Sequence, residues 1–429
     1  MPAGYVQHAI TGNFSADAFI THISEVHDNI FWLDDSTNTG VSYVGWGRSI
    51  PESGLHTIDT YAGIPVSLVG WIGYTQRHTT LRPGDLTAHD HDNHTRFMRV
   101  TVAVRVDHAS GAASIIADEW NAETSALRNE IVEIVNTLST LDEPADPIAS
   151  TATWRDATEQ YASMIRECQE HIRNGDAYQL CLTTSATVET NENPLTVYRR
   201  LRRLAPTQTG GFIRIDGTSL LSASPEVFVD ITDGVATTKP IKGTRPRSDD
   251  PDRDGQLVAE LSSDPKERAE NLMIVDLSRN DLSRVSFVES VTVTKLFDIE
   301  TYSTVHQLVS TVQSRLRPEV SPSAVVTALF PAGSMTGAPK LRAVEILERI
   351  ETGERGLYSG AFGRVGGGNA SLAMTIRAIV CDGTSVTLGV GGGITIDSLP
   401  DNEVREVGVK AHALLTALGA EPNPFLAHR

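Results

Sequence analysis

The chain has 429 residues, which at roughly 150 residues per domain allows one large domain or two to three smaller ones. Hydrophobic residues make up 40% and charged residues 21%, proportions typical of a globular protein with a substantial core. The 36 Lys and Arg residues against 54 Asp and Glu give a formal net charge of −18. Because such a surface repels phosphate backbones, we expect no nucleic-acid partner.

The cysteines and the N-terminal segment bear on the cellular compartment. Cys168, Cys181 and Cys381 show no CxxC spacing, so we expect buried thiols in a reducing compartment. The N-terminal segment lacks the basic and apolar regions of a signal peptide. No apolar run approaches the length of about 18 residues that a membrane span needs. These features predict a soluble, cytoplasmic protein without a membrane partner.

The first half of the chain contains short strand-like runs and one candidate linker. Strand-like runs occur at Asn29–Leu33 and Gly63–Ile72, and the proline-containing segment Leu141–Ser150 resembles a linker. After it, a stripe of apolar residues predicts a helix over Asp156–Asn174. Alternation between the two faces then predicts a strand over Ala177–Thr187.

The second half of the chain combines adjacent strands with isolated helices. Asp264 and Pro265 are residue types favoured at a helix N-cap and first turn. The further predicted elements are strands at Gly211–Asp216, Leu220–Ala223, Val227–Ile231, Val235–Thr238, Ala370–Val380 and Ser385–Val390, and helices at Pro265–Leu282, Ala338–Ile350 and Asp401–Leu418. This order indicates an α+β fold with antiparallel sheets.

Two predicted helices carry carboxylates at helical spacing. Glu267 and Glu270 are three residues apart on one helix. Glu403 and Glu406 have the same spacing on the last helix, where Lys410 shares their face. Oxygen ligands without a His or Cys suit Mg²⁺ rather than zinc. Each pair also fits a solvated helix face, and the first fits a capping box, so a metal site requires the two helices to converge.

Three glycine-rich segments and one arginine are candidates for anion binding. The segments are Ala332–Lys340, Tyr358–Gly368 and Gly389–Gly393, of which the first and third run toward predicted helix starts. None is a P-loop, and tight turns would also explain each of them. Arg377 lies within an otherwise apolar predicted strand. A charge there needs a partner, and a bound carboxylate would supply one bidentately.

A lysine and a glutamate are candidates for acid–base or nucleophilic roles. Lys242, in PIKGTRPR, is flanked by Ile241 and Gly243. A lysine in a tight apolar turn can have a lowered pKa and act as a nucleophile, and a surface lysine is the ordinary alternative. Glu226, in SASPEVF, is the second candidate, and an exposed loop acid is its alternative.

These segments, read in order, resemble the chorismate-utilising enzymes, which include anthranilate, aminodeoxychorismate, isochorismate and salicylate synthases. The matching strings cover Ala157–Leu418 and are SASPEVF, PIKGTRPR, KERAENLMIVDLSRNDL, FPAGSMTGAPKLRAVEIL, YSGAFGRV, TIRAIV and GGGITIDSLPDNEVREVGVK. The resemblance implies a fold like that of anthranilate synthase component I, with two large, mostly antiparallel sheets flanked by helices. It implies one chorismate-binding unit over residues 1–429, with a catalytic region at 157–418 and a weakly matched segment at 1–140.

Two positions separate the reactions within this family. Members that add water to carbon 2 of chorismate have a lysine base where this chain has Gln179. At the position of Lys242, anthranilate synthases have alanine and aminodeoxychorismate synthases have lysine. The pair implies amination of chorismate at carbon 4, giving 4-amino-4-deoxychorismate, the precursor of 4-aminobenzoate in folate biosynthesis. The alternatives are amination at carbon 2, as in anthranilate synthase component I or 2-amino-2-deoxyisochorismate synthase, and a non-catalytic chorismate-binding regulatory protein.

The resemblance also implies roles for individual residues. Lys242 would attack carbon 2, and Glu226 would protonate the departing 4-hydroxyl. Mg²⁺ held by Glu270 and Glu406 would bind the ring carboxylate. The other implied residues are Glu267 and Glu403 around the metal, and Arg377, Tyr358, Ser334, Gly391, Gly392, Gly393 and Lys410 around the substrate.

One departure and one absence complete the sequence-based picture. Anthranilate synthases carry a functional histidine at the position of Gln307, whereas here the imidazole is one place earlier, at His306, and adjacent strand residues face opposite ways. His306 is therefore a weak catalytic candidate. No cysteine lies in a glycine-flanked nucleophile elbow, so we expect ammonia to come from a separate glutamine amidotransferase subunit or from solution.

Overall fold

The computed structural model of the chain describes residues 6–10, 14–51, 53–60, 64–81, 94–117, 129, 131–135, 141–302 and 305–427. These residues form a mixture of mainly antiparallel strands and helices, so the predicted α+β class is confirmed. No helix in the described part of the chain combines the length and hydrophobicity of a membrane-spanning segment. The three cysteine thiols are free and buried, as expected.

Most strands belong to two antiparallel runs. The strands are β1 (Val6–Ile10), β2 (Ile30–Asp34), β3 (Val41–Ser49), β4 (Leu68–Ile72), β5 (Arg96–Asp107), β6 (Ala112–Ala117), β7 (Ser150–Trp154), β8 (Gln179–Glu189), β9 (Gly210–Ile215), β10 (Thr218–Ser222), β11 (Val227–Thr232), β12 (Val235–Thr238), β13 (Ile241–Pro246), β14 (Thr292–Thr301), β15 (Val305–Arg315), β16 (Gly337–Ala338), β17 (Ala361–Gly366), β18 (Asn369–Met374), β19 (Ala378–Asp382), β20 (Ser385–Ile394) and β21 (Ala420–Glu421).

The two runs share the long strand β5. The first run has the order β6, β5, β3, β2, β9, β10, β19, β20, β8. The second has the order β5, β4, β17, β18, β11, β12, β15, β14. Strands β12 and β13 pair with the same edge of β15, one after the other along its length. The first residues of β5 pair with β4 and its last residues with β6, which is why it belongs to both runs.

Helices cover the outer faces of the two runs. They are α1 (Ala16–Ser24), α2 (Thr57–Thr60), α3 (Arg77–Leu81), α4 (Thr158–Arg173), α5 (Pro194–Leu204), α6 (Pro251–Ser263), α7 (Pro265–Ser283), α8 (Pro322–Leu329), α9 (Lys340–Ile350), α10 (Pro400–Leu418) and α11 (Pro424–Ala427). The predicted N-cap of α7 is confirmed, because the Asp264 side chain accepts the N–H groups of Lys266 and Glu267. Proline in the first turn costs no hydrogen bond at that position.

The hydrophobic core has three parts. One lies between the two runs and includes Trp71 and Phe362. A second lies between the first run and its helices, and includes Tyr161 of α4 and Leu180 of β8. The third lies between the second run and helices α7 and α8. Helices α7 and α10 thus belong to different layers, and each places one face near the junction of the two runs.

Two sequence-based predictions are wrong in this region. The predicted single strand Ala370–Val380 is divided into β18 and β19, which belong to different runs. Arg377 lies in the crossing between them with a φ of +46°, and not within a strand. The glycine segment Gly389–Gly393 does not form a loop before a helix. It continues strand β20 to Ile394, and α10 begins only at Pro400.

A buried ion pair holds β8 against the segment that precedes α9. Arg355 pairs with Glu351 at 2.7 Å and donates hydrogen bonds to the carbonyls of Met335 and Cys181. Glu351 also accepts the backbone N–H and the hydroxyl of Thr183. Removing one partner would leave a buried charge without its counter-ion, which is strongly destabilising.

We therefore expect Arg355→Met to lower the free energy of unfolding by about 3–5 kcal/mol, measured by urea denaturation. Arg253→Met is the matched control, because Arg253 pairs with Glu260 on the exposed face of α6. Exposed pairs contribute at most about 1 kcal/mol, so the control should change little. Equal stability of Arg355→Met and the wild type would contradict this account of the pair.

Candidate active site

Lys242 lies in a bulge of strand β13. Ile241 pairs with Val309 and Thr244 with Gln307, so the strand has one more residue than its partner between these points. Gly243 has a φ of +80°, and a Cβ there would lie 2.8 Å from Leu261 and 2.9 Å from Glu267. The bulge therefore requires glycine at this position, and the Lys242 Nζ lies 3.6 Å from the Glu270 Oε2 on α7.

Strand β20 approaches Lys242 from the other run through a residue without a side chain. A Cβ on Gly393 would lie 3.3 Å from the Lys242 Nζ and even closer to the amide nitrogen of Gln179. Gln179 is 1% exposed, and neither of its side-chain amide atoms has a hydrogen-bond partner among the described residues. Because unsatisfied buried polar groups are costly, this amide is suited to binding a polar ligand.

The two carboxylate-bearing helices converge, as the metal prediction requires. Lys266 lies between them, with its Nζ 3.3 Å from Glu403 of α10 and 3.8 Å from Glu270 of α7. Lys410 pairs with Glu406 at 2.7 Å and donates a hydrogen bond to the carbonyl of Gly391. The carboxylates of both helices are therefore held together by lysine ammonium groups.

The carboxylates in this cluster differ in their pKa. Burial, together with the neighbouring Glu270, raises the pKa of Glu267. Burial and the nearby Glu406 likewise raise the pKa of Glu403. Lys410 lowers the pKa of Glu406 and outweighs the effect of burial. The negative charge of the carboxylates in this cluster thus exceeds the positive charge of its lysines.

The donor set fits a hard cation that takes part of its coordination from substrate or water. Within the described ranges, no three His, Cys, Asp or Glu side chains converge into a complete ligand set. Carboxylates from α7 and α10 nevertheless share the Lys266 ammonium group. Mg²⁺ is commonly bound by one or two carboxylates plus waters and substrate oxygens, so these residues fit that ion.

The environment of Lys242 differs from the apolar pocket expected from the sequence. Burial alone would lower its pKa, but the carboxylates of Glu270, Glu226 and Glu406 outweigh burial and raise it. The expectation of a lowered pKa is therefore wrong for this arrangement. In the free site Lys242 is an ammonium group, and it needs a proton acceptor before it can act as a nucleophile.

Glu226 is a buried acid and not an exposed loop residue. It lies between β10 and β11, and the Ser334 hydroxyl donates a 2.8 Å hydrogen bond to its Oε1. Burial raises the pKa of Glu226 to about 7, although the bond from Ser334 and the charge of Lys242 lower it. A carboxyl group with this pKa can both accept and donate a proton near neutral pH.

Arg377 and Tyr358 lie on the side of the site toward the sheet crossing. A cavity of about 290 Å³ is lined in part by Arg377, Ile241 and Gln307. No carboxylate is paired with Arg377 in the part of the chain that the structure describes, and burial lowers its pKa. The ring of Tyr358 lies against Gly389, where a Cβ would overlap it. An anionic ligand in this cavity would supply the partner that Arg377 lacks.

His306 does not join these residues. Its Nε2 lies 2.9 Å from Asp254 of α6 and its Nδ1 2.9 Å from the Thr301 hydroxyl. The neighbouring Gln307 lines the cavity on the opposite face of β15. The alternation anticipated from the sequence is thus observed, and the geometry gives His306 a role in attaching α6 to the sheet.

Sequence reasoning missed Lys266 as a member of the site. It lies four residues before Glu270 on α7, a spacing that brings oppositely charged side chains together on a helix. That spacing could have suggested the contact with Glu270. The second contact, with Glu403, depends on the convergence of two helices that are more than a hundred residues apart in the sequence.

The chain belongs to the chorismate binding enzyme family, whose sequence profile matches residues 35–416. It is 40% identical over 371 residues to an aminodeoxychorismate synthase of Streptomyces pristinaespiralis, covering 83% of this chain and 52% of that protein. It is 40% identical over 261 residues to anthranilate synthase component 1 of Acetivibrio thermocellus, covering 61% of this chain and 53% of that protein. The chain thus spans about half the length of these curated relatives.

A solved structure agrees with the predicted fold. The crystal structure of anthranilate synthase component I from Streptococcus pneumoniae TIGR4 superimposes with a TM-score of 0.74 at 28% identity, covering 96% of this chain and 92% of that one. The expected likeness to anthranilate synthase component I is therefore confirmed. Together with the family match, it identifies the chain as an enzyme of this family.

The buried position of Glu226 predicts its titration. We expect its carboxyl resonance, assigned by comparison with Glu226→Gln, to titrate with a pKa of about 7, so that it is protonated below that pH. Ser334→Ala should raise this pKa further, because the serine hydroxyl stabilises the carboxylate. Titration of Glu226 near 4.5, the value for an unperturbed glutamate, would contradict the assignment.

Proposed function

We propose that this chain aminates chorismate at carbon 4 to give 4-amino-4-deoxychorismate, using ammonia and covalent catalysis by Lys242. The observation that carries the proposal is the position of the Lys242 Nζ. It lies 3.6 Å from Glu270 and beside the backbone of Gly393, where no side chain intervenes. A relative named aminodeoxychorismate synthase supports the choice of reaction. The lysine also distinguishes this site from those of carbon 2 amination, in which ammonia itself attacks carbon 2.

The first half of the reaction replaces the 4-hydroxyl by a bond to the enzyme. Glu226 takes a proton from the Lys242 ammonium group, and the neutral amine attacks carbon 2. The two conjugated ring double bonds each shift by one position toward carbon 4, and the 4-hydroxyl leaves as water with the proton that Glu226 returns. The nearly neutral pKa of Glu226 supports both proton transfers. The enzyme is then joined to the ring through a Lys242 Nζ–carbon 2 bond.

The second half releases the enzyme. Ammonia attacks carbon 4, the two double bonds shift back, and the bond between carbon 2 and Lys242 breaks, so that the lysine regains its electron pair. The oxygen of the Gln179 amide, which has no hydrogen-bond partner among the described residues, accepts a hydrogen bond from the incoming ammonia and orients it. Two successive displacements account for replacement of the hydroxyl by an amine at the same carbon.

The remaining side chains bind the substrate. Glu270 and Glu406, with Glu267 and Glu403 around them, would hold Mg²⁺, which when bound supplies positive charge for the ring carboxylate. Arg377 binds the carboxylate of the side chain, because the described residues offer it no acidic partner. Tyr358, Ser334, Lys410 and the strand Gly391–Gly393 enclose the ring.

Removing a metal ligand tests the role of the two helices. We expect Glu270→Gln and Glu406→Gln each to lower the turnover rate at least about 100-fold and to weaken Mg²⁺ binding measured by calorimetry without substrate. Glu260→Gln, an exposed acid on α6, is the matched control and should behave as the wild type. Full activity of the wild type in EDTA-treated, metal-free buffer would overturn the metal assignment.

Lys242→Ala tests the covalent mechanism. Without the lysine, ammonia reaches carbon 2 directly, so we expect loss of 4-amino-4-deoxychorismate and a small yield of the 2-amino isomer or of anthranilate. Lys242→Arg should form neither product, because guanidinium stays protonated and fills the space. Products from chorismate, Mg²⁺ and ammonium salt are identified by mass spectrometry.

The covalent adduct between Lys242 and the substrate can be detected directly. Wild-type protein quenched with chorismate in the absence of ammonia should gain the mass of one dehydrated chorismate, and the Ala variant should not. Formation of the 4-amino product by Lys242→Ala at a rate near that of the wild type would show the covalent mechanism to be wrong. Anthranilate as the main wild-type product would instead favour amination at carbon 2.

A further inference from the structure

Lys266 lies at a position of α7 where a positive charge does not favour the helix. It follows Pro265 in the first turn, and its backbone N–H donates a 3.0 Å hydrogen bond to the N-cap residue Asp264. The first turn of a helix favours negative side chains, because the free N–H groups there carry partial positive charge. Helix stability therefore does not account for a lysine here, and its side chain acts through contacts outside the helix.

The Lys266 side chain reaches from α7 to α10. Its Nζ lies 3.8 Å from the Oε1 of Glu270 and 3.3 Å from the Oε1 of Glu403. Both glutamates are buried, whereas 49% of the lysine side chain is exposed. Because the long stem of a lysine can extend along a surface, its charged end can move between solvent and a buried partner. The Lys266 ammonium group thus contacts two buried carboxylates from the solvent side.

The other oxygen of Glu403 lies toward strand β20. The Ser398 hydroxyl donates a 2.7 Å hydrogen bond to the same Oε1 that Lys266 contacts. A Cβ on Gly392 would lie 3.4 Å from the Glu403 Oε2 and 3.9 Å from the Glu406 Oε1. These two oxygens therefore lie beside the same bare stretch of backbone. The bond from Ser398 would keep Glu403 in this orientation if the lysine moved away.

The three lysines of the cluster differ in how firmly they are held. Lys242 is the most deeply buried of them. Lys410 donates a hydrogen bond to the carbonyl of Gly391 in addition to its ion pair. Lys266 is the most exposed, and within the described ranges its ammonium group contacts only carboxylates. It is therefore the lysine whose charge can move to solvent at the lowest cost.

We propose that Lys266 is the exchangeable counter-ion of this site: its ammonium group holds the carboxylates of α7 and α10 together and moves to solvent when Mg²⁺ binds. This inference rests on the Mg²⁺ site of the proposed function. The metal ion and the ammonium group are attracted by the same carboxylates and repel each other at short range, so they compete. Lys266 thereby lowers the affinity for Mg²⁺, while it keeps buried carboxylates that repel one another in position.

The test compares three variants in Mg²⁺ titrations by calorimetry without substrate. Lys266→Met removes the charge but keeps the length of the side chain and the capped backbone N–H. Lys266→Arg keeps the charge. Lys295→Met is the matched control, because Lys295 pairs with Asp298 on the exposed part of β14 and its loss changes the net charge of the chain equally.

We expect Lys266→Met to bind Mg²⁺ at least about 10-fold more tightly than the wild type, because the competing positive charge is gone. Lys266→Arg should bind the ion no more tightly than the wild type, and Lys295→Met should match the wild type. The direction of the change separates competition from a structural role. If Lys266 only tied the two helices together, its loss would weaken Mg²⁺ binding.

Chemical labelling follows the position of the lysine itself. The wild-type chain is acetylated with an N-hydroxysuccinimide ester, and each lysine is quantified by peptide mass spectrometry. We expect Lys266 to be labelled several-fold faster when Mg²⁺ is added, whereas the labelling of Lys295 should not change. An unchanged labelling rate for Lys266 at a Mg²⁺ concentration that saturates the calorimetric signal would show that the lysine stays in place, and would overturn the inference.

The remaining outcomes distinguish this inference from the proposed function. Equal or weaker Mg²⁺ binding by Lys266→Met shows that the lysine does not compete with the metal, and the metal site itself stands. Tighter binding by both Met variants shows an effect of net charge alone and also overturns the inference. Failure of the wild type and Lys266→Met alike to bind Mg²⁺ rejects both the inference and the metal assignment. The expected Mg²⁺ affinities without formation of 4-amino-4-deoxychorismate support the inference and reject the proposed reaction.

Discussion

The absence of a side chain at Gly393 lets two sheets and two helices meet around one ammonium group. A Cβ at this position would lie 3.3 Å from the Lys242 Nζ and closer still to the amide of Gln179. Because its backbone is bare there, strand β20 lies close to the ends of the Lys242 and Gln179 side chains. Lys242 thus faces Glu270 of α7 and also feels the charge of Glu406 of α10.

The site contains a concentration of lysines that the acidic composition of the whole chain does not suggest. The net charge is −18, yet three lysines, Lys242, Lys266 and Lys410, lie among the carboxylates of α7 and α10. Each of these lysines contacts a glutamate, so the cluster is an array of alternating charges. An anionic substrate is attracted to such a site only where positive charge is concentrated. The lysines and a bound cation together would provide that concentration.

Local patterns were enough to predict the four helices α4, α7, α9 and α10, because caps and apolar stripes are properties of neighbouring residues, whereas α1, α5, α6 and α8 were not predicted. The start of α7 after Asp264 is an example. Patterns could not reveal that Ala370–Val380 is divided between two runs, because both halves are apolar and the division depends on the strands they pair with. The raised pKa of Lys242 could not be predicted from the sequence either, because the carboxylates that raise it come from distant parts of the chain. The proximity of Lys242, Gln179 and Glu270 followed from the family resemblance and not from periodicity.

The crossing between β18 and β19 places Arg377 where the chain passes from one run of strands to the other. The strand before Arg377 belongs to one run and the strand after it to the other, so Arg377 lies at the junction of the two sheets. Lys242 lies on a strand of the second run, whereas Gln179 and Gly393 lie on strands of the first. The spacing of the two sheets therefore bears on the width of the site, and the ring of Phe362 in the second run, which lies against Gly211 of β9 in the first, is part of the core that separates them. In this architecture the core between the two runs separates the strands that carry Lys242 from those that carry Gln179 and Gly393.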